Sequence, residues 1–117
     1  MINSLVVKRL WIARYRVDFR LGHDGLLAQA YRMGLDPVSG DAILFVGRDR
    51  KRFKIIYTDP TGLWLSYKRF HKGAIKTNFQ FLEDLRREEI TAADLAMLLE
   101  GASYFVAKRV EEWPSRT

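Results

Sequence analysis

The chain alternates most clearly near its start. In WIARYRVDFR, Trp11, Ala13, Tyr15, Val17 and Phe19 alternate with Ile12, Arg14, Arg16, Asp18 and Arg20. A period of two predicts a strand with one buried face and one wet, basic face. The β-branched and aromatic run covers residues 4–20, which is long for one strand, so a bend is expected inside it.

The period then changes. In DGLLAQAYRMG, residues 24–34, Leu26, Leu27, Ala30, Tyr31 and Met33 fall at helical spacing on one side. Asp24 is placed to accept from the free N–H groups of the first turn. Gly34 suits the left-handed residue that ends a helix. The prediction is a helix over about residues 24–33. DPVSGD, residues 36–41, is turn chemistry: a proline, a glycine and short polar side chains that bond their own backbone.

Three short strands are expected next, over residues 42–46, 53–58 and 63–70. DPTG, residues 59–62, suits a β-turn, because Pro60 presets φ and Gly62 is free to go positive. GRDRK joins the first two strands. The result is a three-stranded antiparallel meander. Phe53, Ile55 and Tyr57 share one face of the second strand, and Lys54, Ile56 and Thr58 the other. In the third, Leu63, Leu65, Tyr67 and Arg69 oppose Trp64, Ser66, Lys68 and Phe70. Neither face is purely polar, so each is expected to be partly covered.

Residues 71–87 carry no clear period, and LEDLRREE, residues 82–89, reads as a helical turn or an exposed connection. ITAADLAMLLEG is plainer. Thr91 and Asp94 form a capping-box pattern, Leu95, Leu98 and Leu99 make an apolar stripe, and Gly101 closes the helix. The tail, residues 102–117, holds Tyr104, Phe105 and Trp113, which suits docking, and Pro114 ends regular structure there. The expected architecture is one α+β domain spanning residues 1–117. A twisted antiparallel sheet, made of the N-terminal strand and the meander, packs with two helices.

Composition narrows the function. At 117 residues, 48% of them hydrophobic, the chain supports one modest core. It has no cysteine, which removes disulfides and thiolate metal sites. Two histidines, His23 and His71, do not make a His-rich metal site. No apolar run approaches the roughly 20 residues that span a bilayer. The basic residues near the start follow the apolar stretch, the wrong order for a signal peptide. A cytoplasmic protein without cofactor is expected.

Charge changes the picture more. The formal net charge is +6, and it is unevenly placed. Residues 1–80 carry 15 Lys/Arg against 6 Asp, and residues 81–117 carry 5 Lys/Arg against 8 Asp/Glu. A polyanion-facing body with a more acidic C-terminal part fits this asymmetry. Arg48, Arg50, Lys51, Arg52 and Lys54 crowd one turn and its exit, with Asp49 the one acid among them. Lys68, Arg69, Lys72 and Lys76 lie one strand away, with no acid between Leu63 and Phe81. Clustered cations bind phosphate backbones by releasing condensed counterions, and arginine forks two donors onto one phosphate. The competing reading is a charged hairpin tip that merely discourages edge pairing. Tyr57, Trp64 and Tyr67 are available to stack on exposed bases, although strand aromatics more often fill a core. The Leu95 stripe covers the sheet or docks a partner.

Catalytic signals are weak. Asp18, Asp24 and Asp59 have no spacing that builds a metal site, and Asp24 and Asp59 already have cap and turn roles. Neither histidine has a partner at fixed spacing. Phosphate-loop, dinucleotide, HExxH and CxxC patterns are absent.

Five segments in order resemble a known family. They are VDFRLGHDGL, DPVSG, LFVGR, KIIYTDPTGLWLSYKRFHKG and LAMLLEG. Together they are similar to the TnpB-type accessory protein, the second-reading-frame product of bacterial insertion sequences of family sixty-six. The likeness covers most of residues 11–101. The chain departs from the family pattern at Phe19, Leu21, Tyr57, Thr58 and Phe70. The resemblance implies a helper for transposition, with strand chemistry left to a separate transposase, and it brings no catalytic residues. The family's recurrent polar positions map to Asp18, Arg20, Asp24, Arg48, Lys54, Asp59, Lys68 and Arg69. Asp18 and Arg20 share a strand face and suit an internal ion pair.

The sequence thus points to a non-catalytic transposition accessory protein that binds transposon-end DNA. The expected contacts are Arg48, Arg50, Lys51, Arg52, Lys54, Lys68, Arg69 and Lys72. The alternative is a protein–protein adaptor that meets the transposase, or another element-encoded accessory protein, without touching DNA. A nuclease-like enzyme is a distant third.

Overall fold

The predicted meander forms one side of a larger sheet, with its last strand at the edge. The computed structural model describes residues 7–75, 81 and 86–100. In them β1 (Arg9–Ala13), β2 (Asp41–Val46), β3 (Arg52–Asp59), β4 (Gly62–Arg69) and β5 (Arg87–Ile90) lie in the order β4-β3-β2-β1-β5. Helices α1 (His23–Arg32) and α2 (Ala92–Leu99) complete the α+β fold, and a 3-10 turn spans Pro37–Ser39.

The sheet is mixed, where an antiparallel one is expected. β1 runs parallel to β2, with Arg9 opposite Asp41 and Ile12 opposite Leu44. The other three pairings are antiparallel. Parallel neighbours need a long crossover connection, and α1 supplies it. The regular N-terminal strand is shorter than the alternating run and ends at Ala13. Alternation continues past it: Tyr15 is buried, and Val17 and Phe19 pack beside it.

Period two sorts the core into two layers. Ala13, Ile43, Phe45 and Ile56 face α1, where Leu26, Ala30 and Met33 cover them. Ile12, Ala42, Leu44, Val46, Phe53, Ile55 and Tyr57 belong to the other layer with Leu95 and Leu98 of α2. β2 is therefore buried along its whole length, like a strand covered on both faces. The stripe of α2 covers the sheet.

Local signals fare unevenly. Thr91 and Asp94 make the reciprocal capping box. Gly34 has φ of 78° just after α1. Asp24 is no cap: Gly22 holds that position without a side-chain bond, and Asp24 sits in the first turn. There its charge complements the helix dipole. Tyr31 is half-exposed, because it lies five residues and about 140° around the helix from the buried Leu26. The ambiguous acidic segment ends in strand β5, whose Ile90 joins the α2-side core. Gly101 and the expected tail over residues 102–117 lie outside the described residues.

One buried carboxylate locks the β1–β2 entry. Asp41 is 5% exposed. Its Oδ1 accepts from the Trp11 indole at 3.0 Å and lies 3.3 Å from Arg9 Nε. Its Oδ2 accepts from the Asp36 backbone N–H at 2.8 Å.

Candidate nucleic-acid interface

The basic knot is a structured turn. Gly47 N–H donates to the Arg52 carbonyl at 2.7 Å, and Arg50 N–H donates to the Gly47 carbonyl at 2.9 Å. Asp49 Oδ1 accepts from the Lys51 N–H at 2.9 Å. That bond, with Arg52 nearby, holds the Asp49 carboxyl below its ordinary pKa. Arg50 takes a positive φ of 60°. A Cβ on Gly47 would sit 3.1 Å from the Arg52 carbonyl oxygen, a tight contact that the turn would have to open by a few tenths of an ångström to admit.

The chain leaving β4 folds back on this turn. Phe70 N–H donates to the Lys51 carbonyl at 2.8 Å, and Ile75 N–H donates to the Arg50 carbonyl at 2.7 Å. Arg52 and Arg69 are directly opposed across β3 and β4. Five predicted cations, Arg48, Arg50, Lys51, Arg52 and Arg69, are therefore brought to one end of the sheet, and Lys72 lies in the segment that folds back there. Arg48, Lys51, Arg69 and Lys72 are exposed and have no ion-pair partner among the described residues. Arg52 turns aside: its Nε lies 3.6 Å from Asp49, and its guanidinium sits 5.3 Å over the Phe19 ring.

Lys54 and Lys68 do not join this cluster. The Lys54 amine donates to the carbonyls of Phe19 at 2.7 Å and Leu21 at 2.8 Å. It also lies 5.0 Å from the Phe19 ring and 5.6 Å from that of Tyr67. Lys68 is on the opposite face. Its amine donates to the Leu99 carbonyl at the end of α2 and sits 4.9 Å over Phe70. A cation suits that helix end. Lys76 lies outside the described residues.

Arg16 and Phe81 also belong to the basic end. Arg16 and Arg50 approach the Phe81 ring at 5.2 and 5.3 Å. Alternation in the sequence places Arg16 on the wet face of its run, but nothing in the local pattern links it to a turn 34 residues away.

The remaining candidates have structural work. Asp18 and Arg20 pair at 2.9 Å, in a turn beyond the strand. Asp59 organises the DPTG turn. Its Oδ1 accepts from the backbone N–H of Thr61 and of Gly62, and its Oδ2 accepts from the Trp64 indole at 2.6 Å. The Trp64 bond is the main reason its pKa is lowered to about 2. Tyr57 is buried and stacks on Trp64 with centroids 6.2 Å apart. Trp64 lies five residues along β4 from Arg69, roughly 17 Å. The indole and the basic end therefore occupy different regions of the surface. Among the described residues no helix is long and apolar enough to cross a membrane.

Comparison with known proteins shows the family. The family model described as IS66 Orf2 like protein matches residues 8–109. The uncharacterized protein y4hO of Sinorhizobium fredii is 33% identical over 66 residues, which are 56% of this chain and 57% of that protein. The uncharacterized protein y4jC of the same organism is 38% identical over 66 residues, 56% of each chain. The aligned part spans little more than half the length of these curated relatives. No solved structure matches. With the family match running through every element from β1 to α2, the chain belongs to the IS66 Orf2-like family, which indicates a transposition accessory protein.

Proposed function

We propose that the protein assists transposition by gripping the phosphate backbone of transposon DNA with the basic end of its sheet. The observation that carries this reading is the convergence of Arg48, Lys51 and Arg69. They are exposed and unpaired among the described residues; Arg48 and Lys51 sit on a turn held by backbone hydrogen bonds, and Arg69 ends β4 beside it. A rigid display of cations loses little order on binding, and each phosphate contact releases counterions. Arg50, Arg52 and Lys72 flank the same surface. The contacts are to the backbone, which positions a protein on a duplex without reading its sequence. Lys54 and Lys68 serve the fold and are not among the contacts. No chemistry is assigned to this chain, and strand transfer belongs to the separate transposase.

The test is a gel shift on the element's terminal repeats with the triple variant Arg48→Glu, Lys51→Glu, Arg69→Glu. Loss of binding in a folded variant supports the reading. Retained DNA binding with lost co-purification of the transposase favours an adaptor instead.

A further inference from the structure

The two edges of the sheet are managed differently. β5 is four residues long and carries Arg87, Glu88 and Glu89. Short length and charge are standard protections against edge-to-edge pairing. β4, the other edge, runs for eight residues. Its first six, GLWLSY, hold no charge, no proline and no bulge. Trp64 is 51% exposed and Tyr67 53%. Apart from its pairing with β3, no backbone bond involves residues 63–69 among the described residues. Such an edge is a template for a further strand.

We propose that β4 pairs antiparallel with β4 of a second copy, about a two-fold axis at Ser66. The strand is complementary to itself in that register. Leu65 meets Tyr67 of the second copy on the α1 side. On the α2 side Trp64 meets the aliphatic stem of Lys68 of the second copy, whose amine stays on its own Leu99 carbonyl. Residues two apart share a face, so a two-fold through Ser66 puts each of these pairs on one side of the joined sheet. Charge selects the antiparallel sense. The basic ends of the two copies, marked by Arg69, then point in opposite directions. A parallel arrangement would set them side by side. The result is a continuous ten-stranded sheet with cationic ends on opposite sides. The proposal stands whether or not those ends bind DNA.

The test uses the full chain, which has no native cysteine. Sedimentation equilibrium up to about 100 μM protein reads association in the weak-to-moderate range. The expected mass is twice the 13.7 kDa of one chain. Ser66→Cys then reads the register. Across the two-fold the Cα atoms are about 4.5–5.5 Å apart, within disulfide reach. Mild oxidation is expected to give a covalent dimer of Ser66→Cys and none of Ser39→Cys, an exposed control. Trp64→Lys sets two lysines opposite each other and is expected to weaken association at least tenfold with the circular dichroism unchanged. A monomer at every concentration overturns the proposal. So does a dimer in which Ser66→Cys fails to cross-link.

Discussion

Lys54 reaches from the middle of β3 to the carbonyl of Phe19, 2.7 Å away. A second bond to Leu21 makes its amine the clamp that holds the 19–21 loop against the sheet. This is a cation bound by its own chain, two residues from Arg52 at the basic end. Replacing it leaves two carbonyls without a donor, and bonds to charged groups each contribute about 1.5–3 kcal/mol. Lys54→Met is expected to lower stability by about 2 kcal/mol in a urea titration. The same variant is expected to change DNA affinity less than threefold. A large loss of affinity with unaltered stability contradicts the assignment.

Asp41 makes a parallel prediction at the other end of the sheet. Its buried carboxylate serves the Trp11 indole and the Asp36 N–H. Asp41→Ala strands both donors, at about 1–3 kcal/mol each. The expected loss is about 3 kcal/mol in chemical denaturation. A loss below about 0.5 kcal/mol, the scale of a surface substitution, contradicts it.

Asp59 gives a pH dependence. Its pKa in the folded chain is about 2, below the ordinary 3.8, chiefly because of the Trp64 N–H bond. A depressed carboxyl stabilises the fold above the ordinary value. That stabilisation is lost as pH falls through the folded value. The Tm difference between the native chain and Asp59→Ala is therefore expected to be constant from pH 5 to 7 and to shrink below about pH 4. Calorimetry at several pH values reads it. A difference that grows on acidification contradicts the sign.

Much of the fold is legible in the residues. The period-two run through Trp11, Ala13, Tyr15, Val17 and Phe19 does place one side inward, even where the regular strand has ended. The Thr91–Asp94 capping box and the DPTG hairpin are local chemistry, and both form. The parallel β1–β2 pairing is not local. It depends on where the crossover through α1 delivers the chain. β5 is hidden for a related reason: its short charged sequence has no strand signal of its own, and it is a strand because β1 has an open edge beside Ile90.

The candidate site is legible as a cluster but not by face. The two-residue turn pairs Asp59 with Gly62, so each even-numbered residue of β3 opposes an odd-numbered residue of β4. Lys54 thus opposes Tyr67, and Lys68 opposes Phe53 on the other side. A linear count of positive charge includes both lysines, and the register separates them. What remains at one end is Arg48, Arg50, Lys51, Arg52 and Arg69, with Lys72 on the adjoining segment.

The most direct measurement is the salt dependence of binding to transposon-end DNA by the native chain and by Arg48→Glu, Lys51→Glu, Arg69→Glu. About five phosphate contacts predict that log K falls with log salt with a slope of about −4.5. The triple variant is expected to bring that slope below about −2 in magnitude as its contacts are lost. Equal slopes for the two proteins, in a variant that folds normally, would contradict a DNA-gripping basic end.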